Sequence, residues 1–150
     1  MGFIGNIDVK MDAKGRVFFP ASFRKVLQAS GQEIMIMRKN FYHQCISLYP
    51  ENVWNEQMAT LRGRLNMFNP QHQNIYREFL AGAEMVTLDG NGRILIPRGL
   101  VDMACIKQDV KILGLGESIE LWALEKYMEQ RMGSEEFGKA LESVMCGPVF

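Results

Sequence analysis

The sequence has little cysteine and no long uninterrupted apolar segment. Its three cysteines, Cys45, Cys105 and Cys146, are odd in number and show no C-x-x-C spacing. This pattern argues against a disulfide scaffold or a zinc knuckle and favours a reducing compartment. No apolar run reaches the length of a membrane span, and the first residues lack the features of a secretory signal. We therefore expect a cytoplasmic protein with no membrane partner.

Recognisable catalytic patterns are also missing. His43 and His72 are the only histidines, and neither forms a pattern with a Ser or Cys nucleophile. The sequence holds no glycine-rich phosphate loop and no cluster at metal-ligand spacing. We expect a protein that is not an enzyme and that uses no cofactor, no metal and no small-molecule substrate.

Net charge is zero, because 17 Lys and Arg residues balance 17 Asp and Glu residues. The charges are nevertheless distributed unevenly along the chain. Residues 1–49 hold seven basic against three acidic residues, whereas residues 117–150 hold three against seven. The basic end is therefore the first place to look for an anionic partner.

A repeat organises the chain. The stretch "MDAKGRVFFP" at residues 11–20 returns as "LDGNGRILIP" at residues 88–97. Apolar residues alternate in each copy with a period of two, which is typical of half-buried strands. These positions are Val9, Met11, Val17, Phe19, Ile34, Ile36, Ile46 and Leu48, then Val86, Leu88, Ile94, Ile96, Val110, Ile112, Ile119 and Leu121. Each copy is predicted to form strand, tight turn, strand, short helix, strand, loop and strand.

Helix signals flank these strands. Pro20 and Pro97 are each predicted to begin the short helix of their copy, since the fixed φ of proline suits a first turn. Asn69–Pro70 opens a further helix, with Ile75 and Phe79 predicted to face inward. A last helix is predicted from about Ser134, with these residues inward: Phe137, Ala140, Leu141 and Val144.

Four short strands and one helix cannot bury both faces of a sheet, so each copy must complete its core against the other. The predicted fold is mainly β with flanking helices (α+β), with two pseudo-symmetric halves closing into a barrel-like unit that hides strand edges. We place the first repeat at residues 1–58, a helical connector at 59–83, the second repeat at 84–132 and a helical tail at 133–150.

The repeated turn has the residues of a type I turn followed by a glycine bulge. Asp12 and Asp89 occupy the first turn position, and Gly15 and Gly92 occupy the fourth, where a positive φ closes a three-residue hairpin loop. Each carboxylate is placed to accept turn N–H groups and to meet the arginine four positions later. We interpret these four residues as structural.

Two interpretations of the turn arginines, Arg16 and Arg93, remain open. Each guanidinium is either a local clamp on its aspartate or a cation held out for phosphate. The first copy favours the second interpretation, because basic residues cluster there: Lys10, Lys14, Arg16, Arg24 and Lys25. The aligned positions of the second copy keep only Arg93 as a cation. The first copy is therefore interpreted as the contacting unit and the second as a scaffold, with a solvated charge cluster as the alternative.

These stretches resemble the MraZ family of bacterial transcriptional regulators, whose halves each belong to the AbrB/SpoVT-type swapped-hairpin superfamily. The resemblance covers about residues 1–132. It is carried by the two repeated turns and by "LYP" at 48–50, "LAGAE" at 80–84 and "LWALEKY" at 121–127.

The resemblance implies a double barrel-like fold and a homo-oligomeric ring, which we take to be an octamer or a dodecamer. It also implies nucleoid-associated binding to promoter DNA with short tandem repeats, upstream of a cell-division and cell-wall gene cluster. Val101 and Ile4 stand where the family often has basic residues, which reduces the number of cations. The resemblance implies that Asp12 with Arg16 and Asp89 with Arg93 are the signature pairs, and that Lys14 and Arg24 match basic positions of the family. With Lys10 from the charge cluster, the predicted DNA-binding residues are Lys10, Lys14, Arg16, Arg24 and Arg93.

Among these, Arg16 is assigned to a base edge, since a bidentate arginine on guanine is the commonest specific contact. Lys10, Lys14 and Arg24 are assigned to phosphates. About three cations per loop would bind DNA weakly at physiological salt, so we expect a ring to supply the avidity.

The alternative from another class is a protein-interaction module of the antitoxin type. Small swapped-hairpin proteins of that type neutralise a partner through a terminal tail. The tail at 134–150 carries an amphipathic helix that would bind a partner, dock on a neighbouring subunit or cap its own core.

Overall fold

A computed structural model describes residues 2–147, which form eight strands and six helices. The strands are β1 (Phe3–Lys10), β2 (Arg16–Phe18), β3 (Met35–Lys39), β4 (Ile46–Pro50), β5 (Glu84–Val86), β6 (Arg93–Leu95), β7 (Asp109–Gly116) and β8 (Ile119–Ala123). The helices are α1 (Ala21–Ala29), α2 (Glu51–Arg64), α3 (Pro70–Ala81), α4 (Arg98–Met103), α5 (Leu124–Gln130) and α6 (Ser134–Cys146). The predicted α+β class and the predicted element order of both repeats are confirmed.

Strand pairing exchanges elements between the two repeats. One antiparallel sheet has the order β1-β7-β8-β4-β3-β5, and β2 pairs with β6 in a separate two-stranded ribbon. The first strand of each repeat thus pairs with the third strand of the other, as β1 with β7 and β5 with β3. Each half completes its core against the other half, as the short strands required. Closure of this arrangement into a double barrel stays a prediction.

In two places, equivalent strands of the two repeats pair with each other across the pseudo-twofold axis. Val17 pairs with Ile94 in the ribbon, and these residues hold the same place in the two repeated stretches. At the centre of the sheet, β4 pairs with β8, with Ser47 opposite Glu120. Because equivalent strands meet at the ribbon, the two repeated turns lie close together.

The main core lies between the sheet, the ribbon and helices α1 and α4. Its members include Val17, Phe19, Phe23, Leu27, Met35, Met37, Ile46, Leu48, Ile94, Ile96, Ile112, Ile119 and Leu121. Of the alternating apolar positions predicted here, Ile34 lies just before β3 and Ile36 is buried. The main core is contacted by Met35 and Met37, which were not among those positions. Ile36 belongs instead to a second cluster with Tyr49 and Trp54 beneath α2. The strand is covered on both faces, so its apolar residues do not alternate with polar ones.

The connector helix α3 begins as predicted. The side chain of Asn69 accepts hydrogen bonds from the backbone N–H groups of Gln71 and His72 and caps the helix. Phe79 stacks on Trp54 with ring centroids 5.0 Å apart. Ile75, which was also predicted to face inward, is exposed.

The last helix does not cover the core of its own chain. The apolar residues Phe137, Leu141 and Val144 are 54%, 47% and 76% exposed, so the prediction that they face inward was wrong. Ala140 is half-buried. Among the described residues, the members of both core clusters come from other elements and none comes from α6. The end of the predicted tail, after residue 147, lies outside the described residues.

Candidate nucleic-acid interface

The first turn is held by its aspartate. Oδ1 of Asp12 accepts hydrogen bonds from the backbone N–H groups of Lys14 and Arg16, both at 2.9 Å. Oδ2 accepts from Nε of Arg16 at 2.7 Å. Gly15 has a φ of +87°, in the left-handed region that favours glycine. Asp12 therefore fixes both the backbone of the loop and the position of the arginine.

The second turn repeats this geometry. Oδ1 of Asp89 accepts from the N–H groups of Asn91 at 2.8 Å and Arg93 at 3.0 Å, and Oδ2 accepts from Nε of Arg93 at 3.0 Å. Gly92 has a φ of +77°. The two loops are thus built by the same contacts, in keeping with their shared sequence.

Both aspartates are stabilised in their charged form. The backbone N–H of Arg16 holds the pKa of the Asp12 carboxyl below its usual range, with further help from the Arg16 side chain. The backbone N–H of Arg93 does the same for the pKa of Asp89. At neutral pH each turn therefore contains a carboxylate beside a guanidinium, which reduces the positive charge that the arginines alone would present.

The ribbon places the two turns side by side. The backbone N–H of Ile96 donates to the carbonyl of Gly15 at 2.8 Å, and that of Phe19 donates to the carbonyl of Gly92 at 2.9 Å. Nη1 of Arg93 lies 3.9 Å from Oδ2 of Asp12. The side chains of Arg16 and Arg93 are 30% and 21% exposed. Two partly exposed guanidinium groups therefore share one surface.

Arg24 lies beside the second turn rather than the first. Its guanidinium packs against Gly92, in the space that a side chain at that position would fill. From the sequence, Arg24 was grouped with the cations of the first repeat. Because the two repeats exchange strands, its side chain lies at the turn of the second repeat. The equivalent residue of α4, Val101, is buried in the core. Arg24 thus adds its positive charge to the second turn.

The two predicted lysines have different surroundings. Lys14 is exposed at the tip of the first turn. Nζ of Lys10 lies 3.2 Å from Oδ1 of Asp109 on the neighbouring strand β7. A carboxylate therefore accompanies Lys10, whereas we find no ion-pair partner for Lys14 among residues 2–147.

Two residues of this surface were not among the predicted ones. Phe18 and Leu95 are 59% and 55% exposed on the outer face of the ribbon. The period of two was enough to find them, since each stands between two inward-facing residues of its strand.

Arg38 was also missed, although it directly follows the apolar stretch "MIM" at residues 35–37. It is 8% exposed. Its Nε donates to the carbonyl of Lys39 at 2.9 Å and its Nη1 donates to the carbonyl of Phe79. The guanidinium lies 4.3 Å from the centre of the Phe41 ring, and burial lowers the pKa of Arg38. The Arg38 side chain on β3 therefore links this strand to the C-terminal end of α3 by a hydrogen bond.

Other kinds of site receive no support from the described residues. Burial raises the pKa of the Cys45 thiol to about 12, so this cysteine stays protonated. Within residues 2–147, no three His, Cys, Asp or Glu side chains are grouped as metal ligands. None of the helices in this part of the chain is long and apolar enough to cross a membrane.

A family model described as "MraZ protein, putative antitoxin-like" matches this chain twice, at residues 3–78 and 79–142. The chain belongs to the MraZ family. The protein named transcriptional regulator MraZ from Phocaeicola vulgatus is 53% identical to this chain, over 97% of this chain and 94% of its own length. The protein of that name from Bacteroides thetaiotaomicron is 51% identical over 95% of this chain and 92% of its own length. The one from Bacteroides fragilis is 48% identical, over 95% and 90%. The resemblance to the MraZ family is thus confirmed over nearly the whole chain.

Proposed function

We propose that this chain is a sequence-specific DNA-binding transcriptional regulator that acts on the nucleoid in the bacterial cytoplasm. The observation that carries the proposal is the pair of turns that presents Arg16 and Arg93 on one surface. Relatives at 48–53% identity that are named transcriptional regulator MraZ support a role in regulating transcription. The charge balance of the chain is compatible with this function, because binding depends on the local arrangement of cations rather than on their sum.

The two arginines have unequal roles in this proposal. Nε of Arg16 donates its hydrogen bond to Asp12. The two Nη groups of Arg16 therefore remain for a bidentate contact with O6 and N7 of guanine. Arg93 is attracted to two carboxylates, Asp89 and Asp12, and has less freedom to leave them. We assign Arg16 to the principal base contact and Arg93 to a weaker one.

Phosphate contacts are assigned to Lys14, Arg24 and Lys10. Lys14 is exposed at the tip of the first turn, and Arg24 adds charge to the second turn. Lys10 would have to exchange Asp109 for phosphate, so its contribution should be smaller. Each neutralised phosphate strengthens binding by releasing counterions, and three contacts per chain give only weak binding at physiological salt.

Assembly into a ring is the second part of the proposal. Several apolar residues are exposed on the single chain and are available for contact with another copy, among them Val144 on α6 and the paired Ile4 and Leu115. A ring that presents several identical surfaces raises avidity by roughly 10²–10⁴ when operator repeats match the spacing of the subunits. We propose short tandem repeats in the promoter of a cell-division and cell-wall gene cluster as that operator.

The test compares binding of the full chain to two promoter fragments of equal length. One carries the tandem repeats and the other carries the same bases scrambled. We expect at least 100-fold tighter binding to the repeats, together with a native mass of several chains. Equal affinity for both fragments, or a protein that stays monomeric, would contradict the proposal.

A second candidate function is that of an antitoxin-type module. The exposed apolar face of α6 favours it, since such a face is suited to a protein partner. Truncation after residue 132 removes α6 from the chain. This candidate is supported if the truncated chain binds DNA as the full chain does but no longer co-purifies with a partner protein. It is refuted if the truncated chain keeps both the partner protein and DNA binding.

A further inference from the structure

The outer face of the β2–β6 ribbon carries two apolar side chains in addition to the arginines. Val17 and Ile94 point into the core and are at most 1% exposed, whereas Phe18 and Leu95, the next residue along each strand, are more than half exposed. The alternation is that of a ribbon with one buried face. Phe18 and Leu95 therefore contribute little to the core.

These two residues occupy the same position in the two repeats, in "GRVFFP" and "GRILIP". The strand register places Phe18 opposite Arg93 and Leu95 opposite Arg16. The guanidinium carbon of Arg93 lies 6.0 Å from the centre of the Phe18 ring. The outer face thus consists of two pairs, each with one guanidinium and one apolar group, related by the pseudo-twofold axis.

A single exposed apolar residue is common on protein surfaces and needs no explanation. Here two equivalent ones lie directly between the side chains that the proposed function assigns to DNA. Each strand of the ribbon has only three residues. A duplex that contacts both Arg16 and Arg93 must therefore come close to Phe18 and Leu95 as well.

The chemistry of the DNA major groove suits such a surface. The groove is about 12 Å wide and accepts a two-stranded β-ribbon, and guanine presents O6 and N7 there to arginine. The C5-methyl group of thymine is the main apolar group on the base edges in that groove. A ribbon that presents an arginine beside an apolar residue is matched to a guanine with a thymine nearby.

We propose that Phe18 and Leu95 bind thymine methyl groups next to the guanines contacted by Arg93 and Arg16. This inference rests on the proposed function and adds a source of specificity to it. Part of the operator preference is then apolar and does not depend on salt. The Phe18 contact is the larger of the two, because the aromatic ring offers more surface than the leucine side chain.

The test uses the full-length protein and a duplex that it selects from a random pool. Each thymine of the selected site is replaced in turn by uracil, which pairs in the same way but lacks the methyl group. We expect about fourfold weaker binding at one or more of these positions, the factor that follows from burial of one methyl-sized group. Phe18→Ser should lose this sensitivity to uracil at one position, and Leu95→Ser at the position related to it by symmetry.

Phe68→Ser is the matched control, since Phe68 is 95% exposed on the loop between α2 and α3. It should keep the response to uracil. Wild-type binding that is unchanged by every uracil substitution overturns this inference and leaves the proposed function in place. Retention of the full response in Phe18→Ser, with or without a change in native mass, also overturns it. Failure of the wild-type chain to enrich any sequence overturns both the inference and the proposed function.

Discussion

Nη1 of Arg93 lies 3.9 Å from the Oδ2 atom of Asp12, while Nε of the same arginine donates to Asp89 at 3.0 Å. The arginine of the second repeat thus links the two turns, whereas the ion pair of Arg16 is with Asp12 in its own turn. The two guanidinium groups are equivalent in sequence but differ in their surroundings. This difference leads to a testable asymmetry.

Arg16→Ala should abolish the preference for operator over scrambled DNA, and Arg93→Ala should reduce it less. Loss of a bidentate contact with guanine costs about 1–3 kcal/mol of discrimination per site. Both variants should keep the fold, because neither arginine is buried. Fluorescence anisotropy with the two duplexes measures the effect, and circular dichroism checks the fold. Equal losses in the two variants would contradict the asymmetry.

Lys14→Ala should weaken binding to operator and scrambled DNA alike. Removal of one phosphate contact should reduce the slope of log K against log salt by about one unit per loop in contact with DNA. Lys139→Ala is the control, because Lys139 is also exposed but lies on α6 beside Glu135. A larger loss on operator DNA, with an unchanged slope, would mean that Lys14 reads bases instead.

Gly92→Ala should destabilise the protein and weaken DNA binding together. An alanine at this φ is strained by about 1–2 kcal/mol, and its Cβ would displace the guanidinium of Arg24. Gly90→Ala, in the same turn, is the control, since no atom lies within 4 Å of its Cβ position. Urea unfolding gives the change in the free energy of unfolding. Equal stability of the two variants would contradict the role assigned to Gly92.

The stability conferred by the Asp12 carboxylate should depend on pH. Its folded-state pKa is depressed, chiefly by the backbone N–H of Arg16, so the ionised group stabilises the fold above the unfolded-state pKa near about 4. That contribution is lost as the pH falls through the lower folded-state value. Asp12→Asn should therefore be less stable than wild type at pH 5–7, with a gap that closes towards pH 3. Urea unfolding across this range measures the gap, and a gap that widens in acid would contradict the assignment.

The repeated turns were predictable from sequence because their contacts are local. An aspartate and a glycine at fixed separation determine the loop, and the arginine four residues after the aspartate completes it. The element order followed from the period of two and from the helix-starting prolines. These features depend on neighbours in the chain, which the sequence displays directly.

The features that were not predicted depend on contacts between distant parts of the chain. Arg24 lies against Gly92 because the repeats exchange strands. No local sequence pattern shows that α1 packs beside the turn of the other repeat. Met35 and Met37 face the core because β3 is covered on both sides, which removes the alternation that marks an inward face. The exposed apolar residues of α6 were assigned to the core because amphipathicity identifies a face to be covered but not its partner.

Photocrosslinking of the full-length protein to an operator duplex tests the central claim most directly. Thymines are replaced by 5-iodouracil, and the crosslinked peptides are identified by mass spectrometry. We expect crosslinks within residues 12–18 and 89–95, the two turns and the strands that follow them. Crosslinks confined to α3 or α6, with both turns unmodified, would contradict the account.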